Sequence, residues 1–242
     1  MNYAIILAGG VGQRMRSSGL PKQFLEVFQK PIIIYTLERF DNNKMIDGIV
    51  VSCNGQWIDY LNNLLKKWQI KKVIAVVSGG KTRQDSVKNG LSALEGNNVK
   101  NDDIIIVHDG VRPLIEINVI DENISVAKRY GSAMTVSPVI ESVVVTKSDE
   151  ARFEDFKKRD DTYSLTSPQS FQFGIINSLY KESSNMQSTI PILDSALAYT
   201  FLGNSIHIVR ENSKNIKVTT PEDYYILKAL LELKESRYIF GI

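Results

Sequence analysis

The chain has 242 residues, 43% of them hydrophobic and 23% charged, which is the balance of an ordinary globular protein. With 29 Lys and Arg against 27 Asp and Glu, the net charge of +2 does not indicate a nucleic-acid partner. The single cysteine, Cys53, excludes an internal disulfide. There is no basic leader at the start and no apolar run of ~18 residues, so we expect no membrane span and a cytoplasmic location.

Apolar, β-rich runs alternate with amphipathic stretches in the first half of the chain, in the following order. The predicted strands are Tyr3–Ala8, Gly48–Cys53, Lys72–Val77, Asp103–His108 and Ser132–Pro138. The predicted helices between them are Pro31–Phe40, Gln56–Trp68, Arg83–Leu94 and Ile117–Tyr130. Nearly continuous apolar strands are typical of a sheet that is covered on both faces. The alternation therefore predicts one α/β domain, residues 1–242, with a Rossmann-like, mostly parallel sheet flanked by helices.

The segment 139–165 breaks this alternation. It contains a short apolar run, Ser142–Lys147, followed by a charged stretch, which predicts a projecting β-arm. Because a projecting arm needs a partner to cover its apolar side, we expect a homodimer. The remaining predicted elements are helices near Phe173–Glu182 and Asp194–Leu202, a strand at Ser205–Arg210, the segment Asn215–Thr219 and a helix from Pro221 to about Leu233.

A glycine-rich loop follows the first predicted strand directly. Its candidate nucleotide-binding residues are Leu7, Ala8, Gly9, Gly10 and Gly12. Consecutive backbone N–H groups in such a loop form an anion-binding concavity. The loop matches neither the dinucleotide fingerprint nor the Walker A motif. Instead, Arg14 and Lys22 place two cations beside it, which suits a triphosphate and a leaving pyrophosphate. A tight turn beside two surface cations is the alternative.

The fourth predicted strand ends in Asp109, within the sequence HDGVRP. The carboxyl ends of parallel strands are where α/β sheets bind ligands. Mg²⁺ prefers one or two carboxylates together with phosphate oxygens, so Asp109 is the candidate ligand for a Mg²⁺ cofactor. Arg112 either holds the phosphate of a second substrate or positions Asp109. His108 is interpreted as a packing residue at the strand end.

The sequence LAGGxGxRM…PKQF resembles the opening of the cytidylyltransferases that make CDP-methylerythritol and CDP-ribitol. The resemblance runs from residue 3 to about 232 and keeps its order and spacing. It implies CTP and a small polyol phosphate as substrates, and the fold of the nucleotide-diphospho-sugar transferases. The family's GGxxRxxS segment, which lies against the nucleotide, is matched by Gly80, Arg83 and Ser86.

The resemblance also implies residues for the second substrate. Arg159 stands where the family has an arginine that reaches the substrate phosphate from the partner subunit, eight residues before Ser167. Ser167 replaces the usual threonine of that segment, and Ser142 matches a position that supplies a hydroxyl to the polyol. Lys217, in NIKVTTPED, would add a cation near the α-phosphate and the metal. Asp194 matches an acidic position of the family, although a helix N-cap is the favoured interpretation.

The chemistry so implied is attack of the polyol phosphate on the α-phosphorus of CTP, with Arg14, Lys22 and Lys217 as catalytic cations. An ionised phosphate monoester needs no general base, so catalysis rests on charge neutralisation and in-line positioning. Local features such as PKQF favour D-ribitol 5-phosphate, and 2-C-methyl-D-erythritol 4-phosphate is the alternative. Another nucleotide in place of CTP and a noncatalytic nucleotide-binding protein are further alternatives.

Overall fold

The structure is a computed structural model that describes residues 1–10, 15, 19–146, 155–185, 195, 199–200 and 203–240. The strands, in chain order, are β1 (Asn2–Ala8), β2 (Glu26–Val27), β3 (Lys30–Pro31), β4 (Gly48–Cys53), β5 (Val73–Ser78), β6 (Ile104–Asp109), β7 (Ser132–Pro138), β8 (Val143–Val145), β9 (Asp155–Lys157), β10 (Tyr163–Gln172) and β11 (Ile208–Arg210). The helices are α1 (Ile32–Asp41), α2 (Ile58–Lys67), α3 (Arg83–Glu95), α4 (Ile117–Tyr130), α5 (Phe173–Asn185) and α6 (Pro221–Phe240).

Within the described ranges, the central sheet has seven strands in the order β11-β7-β10-β6-β1-β4-β5. Neighbouring strands are parallel except for β10, which is antiparallel to both β6 and β7. The chain leaves β1 toward β4 and β5 on one side and later returns to β6 on the other. The strand order therefore changes direction beside β1, and ligands bind at such a switch point in open α/β sheets.

The two faces of the sheet carry separate apolar cores. Alternate residues of a strand point to opposite faces, so Ile6 packs in one core and Ile5 in the other. The first core includes buried residues of α1, α2 and α4, and the second includes buried residues of α3 and α5. This confirms the expectation that the apolar strands are covered by helices on both sides.

The predicted strands and helices of residues 3–138 are all present, with ends that agree to within two residues. The ten-residue strand β10 was missed, because its sequence YSLTSPQSFQ is polar and contains a proline. Its register shifts between Leu165 and Gln169, and such an irregularity accommodates Pro168 in a paired strand. Residues 215–219 form no strand, α6 extends beyond Leu233, and most of the predicted helix 194–202 lies outside the described residues.

The predicted arm contains a separate two-stranded antiparallel sheet formed by β8 and β9. Val144 pairs with Phe156 in this sheet, and these two side chains are 47% and 57% exposed. The connection, residues 147–154, lies outside the described part of the chain. In that part, every helix is too short or too polar to cross a membrane.

Candidate active site

A cleft of about 250 Å³ opens where β1 and β6 end. The register of these strands pairs Leu7 with Asp109, and the backbone N–H of Gly110 donates to the carbonyl of Leu7 at 2.9 Å. The start of the glycine loop and the carboxylate are thus side by side. The described residues that line the cleft are Leu7, Ala8, Gly9, Gly10, Lys22, Gln23, Gly80, Lys81, Thr82, Arg83, Ser86, Asp109, Val111 and Lys217.

The glycine loop is held in place by Gln23. This side chain is 1% exposed, and its Nε2 donates to the carbonyl oxygens of Ala8 at 2.7 Å and Gly10 at 3.1 Å. On its other side the loop packs against the loop after β5, where a Cβ on Gly79 would lie 3.2 Å from the Cα of Gly9. Glycine at both positions therefore lets the two loops approach closely and form one wall of the cleft.

The loop after β5 continues into α3, which begins at the cleft. Thr82 and Asp85 form a reciprocal capping box at its N-terminus. Ser86 Oγ accepts from the N–H of Gly80 at 3.1 Å and donates to the carbonyl of Thr82 at 3.0 Å, which fixes the loop on the helix. Gly80 allows no side chain, because an added Cβ would lie 2.0 Å from the Cβ of Asp85.

Three cations surround the carboxylate of Asp109. Lys217 Nζ and Arg112 Nε lie 2.9 Å and 3.3 Å from its Oδ2, and Arg83 Nε lies 3.9 Å from its Oδ1. Burial by itself would raise the pKa of Asp109, but the charges of Lys217, Arg83 and Arg112 hold that pKa well below its usual range. The cluster keeps two net positive charges, and Arg83 Nη1 is a buried donor without a hydrogen-bond partner in the described part of the chain. Both properties suit an anionic ligand.

His108 and Ser167 lie behind Asp109, away from the cleft. His108 Nδ1 is 3.1 Å from Ser167 Oγ, and its Nε2 is 3.1 Å from the carbonyl of Arg112. Burial lowers the pKa of His108 to about 4. A neutral ring satisfies both contacts if Nε2–H donates to that carbonyl and Nδ1 accepts from the Ser167 hydroxyl. The same Oγ accepts the backbone N–H of Asp109 at 3.2 Å, so this pair supports the carboxylate from behind.

Most of the expected nucleotide and metal residues come together in this cleft, while those expected to bind the second substrate do not. Arg112 lies beside Asp109, and the two arm residues, Ser142 and Arg159, are exposed and outside the cleft lining. Ser167 differs from the expectation of a substrate contact, because it is 1% exposed and its hydroxyl is engaged by His108 and Asp109. Three of the named positions, Gly12, Arg14 and Asp194, lie outside the described residues.

Three residues of this region were missed in the sequence. Gln23 supports the glycine loop, and Lys81 adds a further cation to the lining of the cleft. Glu211 is 8% exposed and accepts hydrogen bonds from Thr166 and Asn215 beside Arg112. Gln23 and Lys81 lie within the PKQF and GGKTR segments and were open to recognition there. No local pattern marks Glu211, because its partners are brought to it by the fold.

A glycine loop, a helix start and a carboxylate with three cations, all at the switch point of a parallel sheet, define an enzyme that handles nucleoside phosphates. The chain belongs to the IspD family, whose model, described as 2-C-methyl-D-erythritol 4-phosphate cytidylyltransferase, matches residues 2–233. It is therefore a cytidylyltransferase, as the resemblance in its motifs implied.

Known proteins include relatives that match this chain over its full length. It is 42% identical to the ribitol-5-phosphate cytidylyltransferase of Vibrio parahaemolyticus and 41% identical to that of Streptococcus agalactiae serotype Ia, over 100% of both chains in each case. Among solved structures, the 4-diphosphocytidyl-2C-methyl-D-erythritol synthase of Anaerococcus prevotii superposes with a TM-score of 0.82 at 25% identity, over 96% of each chain. The Francisella tularensis 2-C-methyl-D-erythritol 4-phosphate cytidylyltransferase gives 0.73 at 27% identity, over 94% of this chain and 99% of its own.

Proposed function

We propose that this enzyme transfers CMP from CTP to D-ribitol 5-phosphate and releases pyrophosphate. The observation that carries the proposal is the buried Asp109 with three cations, beside the glycine loop at the end of β1. Ribitol 5-phosphate is the preferred acceptor because relatives about 40% identical over their full length carry that name. The family description favours 2-C-methyl-D-erythritol 4-phosphate as the second candidate.

The cleft supports phosphoryl transfer by positioning and charge. An oxygen of the acceptor's ionised phosphate attacks the α-phosphorus of CTP, the bond to the β-phosphate oxygen breaks, and pyrophosphate leaves with the electron pair. Lys22 and Lys217 line the cleft and neutralise the triphosphate as charge moves onto the leaving group. No base is required, which agrees with a neutral, fully buried His108 behind the site.

Asp109 suits a divalent metal only together with phosphate ligands. The described residues contain no group of three or more His, Cys, Asp or Glu side chains able to hold a metal ion by themselves. One carboxylate plus phosphate oxygens is a common Mg²⁺ environment. We therefore assign Asp109 as the protein ligand of Mg²⁺, which when bound would neutralise phosphate charge, while the protein's cations orient the triphosphate.

The arm supports a twofold homodimer. Its exposed apolar side chains, including Val144 and Phe156, need cover, and Arg159 lies on the same arm outside the cleft of its own subunit. In the proposed dimer, the arm crosses to the partner, where Arg159 and Ser142 contact the acceptor. This part of the proposal explains why Ser142 and Arg159 do not line the nucleotide cleft of their own subunit.

The reaction is tested by measuring pyrophosphate release with each of the common NTPs against a panel of polyol phosphates. We expect CTP with ribitol 5-phosphate to give the highest kcat/KM, and Lys22→Ala to lower it by about a hundredfold or more. Lys66→Ala, at an exposed position of α2, is the matched control and should leave the rate unchanged. A preference for another nucleotide, or full activity of Lys22→Ala, would refute the assignment.

The dimer is tested by mixing subunits that carry Arg159→Ala with subunits that carry Lys22→Ala. If the arm serves the neighbouring site, each mixed dimer has one site with both substitutions and one with neither, so activity reappears on mixing. Light scattering gives the mass of the assembly directly. A monomer in solution, or a mixture as inactive as its components, would argue against the crossed arm.

A further inference from the structure

Glu211 is a buried carboxyl group that the proposed chemistry does not use. It follows β11, is 8% exposed, and its backbone N–H donates to the carbonyl of Val136 at 2.9 Å. Its Oε1 accepts from Thr166 Oγ1 at 2.6 Å and its Oε2 from Asn215 Nδ2 at 2.9 Å. Both carboxylate oxygens are therefore engaged by side chains from other parts of the chain.

Asn215 connects this carboxylate to the catalytic cluster. Its backbone carbonyl accepts from Arg112 Nη1 at 2.8 Å, while Arg112 Nε reaches Asp109 Oδ2 at 3.3 Å. Two residues later, Lys217 Nζ lies 2.9 Å from the same Asp109 oxygen. Asn215 Nδ2 also donates to the carbonyl of Ser167 at 3.1 Å. Asn215 thus contacts one of the three cations around Asp109 directly and lies two residues before a second.

A carboxylate in this place is energetically costly. Burial raises the pKa of Glu211, against the hydrogen bonds from Thr166 and Asn215 and the charge of Arg112. An apolar side chain would avoid that cost but would leave the Nδ2 of Asn215 with one acceptor fewer. The hydrogen bonds from Thr166 and Asn215 and the nearby Arg112 guanidinium stabilise the Glu211 carboxylate where it can hold the Asn215 side chain in place.

We propose that Glu211 is a positioning residue that holds Asn215, so that the Asn215 carbonyl orients Arg112 and the following turn presents Lys217 to Asp109. Its consequence for turnover rests on the proposed function, whereas its effect on Arg112 is a property of the free protein. Glutamine at position 211 preserves the contact with Asn215, because its Oε1 accepts from Asn215 and its Nε2 donates to the Thr166 hydroxyl. That hydroxyl then donates to the carbonyl of Thr135, which lies 3.2 Å away. Alanine does not preserve the contact with Asn215.

The first test observes the Arg112 guanidinium by ¹⁵N–¹H NMR in the ligand-free protein, with the signal assigned by its loss in Arg112→Lys. We expect the Arg112 Nε–H signal to shift or broaden in Glu211→Ala and to keep its position in Glu211→Gln. Glu122→Ala, at an exposed position of α4, is the matched control and should leave the signal unchanged. Should Glu211→Ala fail to fold, Asn215→Leu removes the same donor at similar volume without adding a charge beside Glu211, and it is expected to move the signal. An unchanged signal in a folded variant overturns the proposal.

The second test is kinetic and uses pyrophosphate release. A misplacement of about 1 Å can cost roughly a hundredfold in rate, so Glu211→Ala should lower kcat by about ten- to a hundredfold, and Glu211→Gln should restore most of it. In an Asn215→Ala background, Glu211→Ala should have little further effect, because both act through the same contact. Additive losses, or no recovery by glutamine, overturn the proposal. If the wild-type protein releases no pyrophosphate but the Arg112 signal still depends on Glu211, the reaction assignment fails and the positioning role stands.

Discussion

Replacing Asp109 with asparagine leaves three cations facing one another without their shared anion. Lys217, Arg112 and Arg83 lie 2.9 Å, 3.3 Å and 3.9 Å from the carboxylate, which is 9% exposed. Removing one partner from a buried ion pair typically costs about 3–5 kcal/mol. Because the Lys217 side chain is 41% exposed and screened by water, we expect the lower end, about 3 kcal/mol. In a domain of this size that lowers Tm by roughly 6–12 °C.

The assay is thermal and urea unfolding of Asp109→Asn beside wild type, without divalent metal. Asp102→Asn, an exposed position of the preceding turn, is the matched control and should unfold as wild type does. Pyrophosphate should stabilise Asp109→Asn more than wild type, since an anion at one hundred times its Kd contributes about 2.7 kcal/mol and the variant has one more uncompensated charge. An unchanged Tm together with equal stabilisation by pyrophosphate would refute the electrostatic account of this cluster.

The pH dependence of the stability difference between wild type and Asp109→Asn follows from the lowered pKa of Asp109. A carboxyl group whose pKa is lower in the folded than in the unfolded protein stabilises the fold above its unfolded pKa, ~3.8. That contribution disappears only as the pH falls through the folded value. The stability gap between wild type and Asp109→Asn should therefore be constant from pH 6 to 9, and a gap that changes steeply in this window would contradict the assignment.

Three further predictions concern the supports of the cleft. Burial lowers the pKa of His108 from 6.5 to about 4, so between these pH values the unfolded chain binds a proton at His108 that the folded chain does not. The free energy of unfolding should therefore fall as the pH falls from 6.5 to 4. His108→Gln should remove this pH dependence in urea unfolding, and the same pH dependence in both proteins would contradict the prediction. Gln23→Leu removes both hydrogen bonds to the glycine loop. The loss of two hydrogen bonds should raise the KM for CTP about tenfold. An unchanged KM would show that these hydrogen bonds are not needed to position the loop. Gly80→Ala places a Cβ 2.0 Å from that of Asp85 and should lower the unfolding temperature. Gly10→Ala is the control, because a Cβ on Gly10 has no atom within 4 Å. Equal unfolding temperatures for the two variants would show that the loop at Gly80 moves to accommodate the methyl group.

The parallel part of the sheet was predictable because its strands are continuous apolar runs, and β1, β4 and β6 are buried on both faces. β10 was not, since its polar sequence with Pro168 lacks that pattern and its place between β6 and β7 depends on long-range antiparallel pairing. The same distinction applies to the site. Asp109 and the glycine loop could be predicted from their positions at the ends of strands, where ligands bind in α/β sheets.

The supports of the site depend on contacts that no local pattern specifies. Ser167 was expected to meet the substrate, but the fold places its hydroxyl between His108 and the backbone of Asp109, 58 residues away in sequence from the latter. Glu211 meets Thr166 from 45 residues away. Motif spacing identified many of the residues that line the cleft, although not Gln23 or Lys81, and gave no information about the hydrogen bonds that fix them.

The cations around Asp109 also affect the divalent metal that we propose as its ligand. In the free protein, Lys217 and Arg112 both approach Oδ2 of the carboxylate that would bind such a metal. Without a nucleotide, a divalent ion is repelled by these three positive charges and must displace cations that are already paired with the Asp109 carboxylate. A triphosphate brings several negative charges that draw these cations away, so we expect tight metal binding at Asp109 only in the presence of CTP.

Mn²⁺ binding measured by electron paramagnetic resonance tests this without any turnover. Wild-type protein should bind Mn²⁺ weakly alone and much more tightly with CTP, beyond the affinity of CTP itself for the ion. Lys217→Met removes the charge 2.9 Å from Asp109 and should strengthen binding without CTP by about tenfold, the factor for roughly 1.4 kcal/mol of relieved repulsion. Lys66→Met is the control. If the free wild-type protein binds Mn²⁺ as tightly as its CTP complex does, or if Lys217→Met changes nothing, the ammonium group does not compete with the metal for this carboxylate.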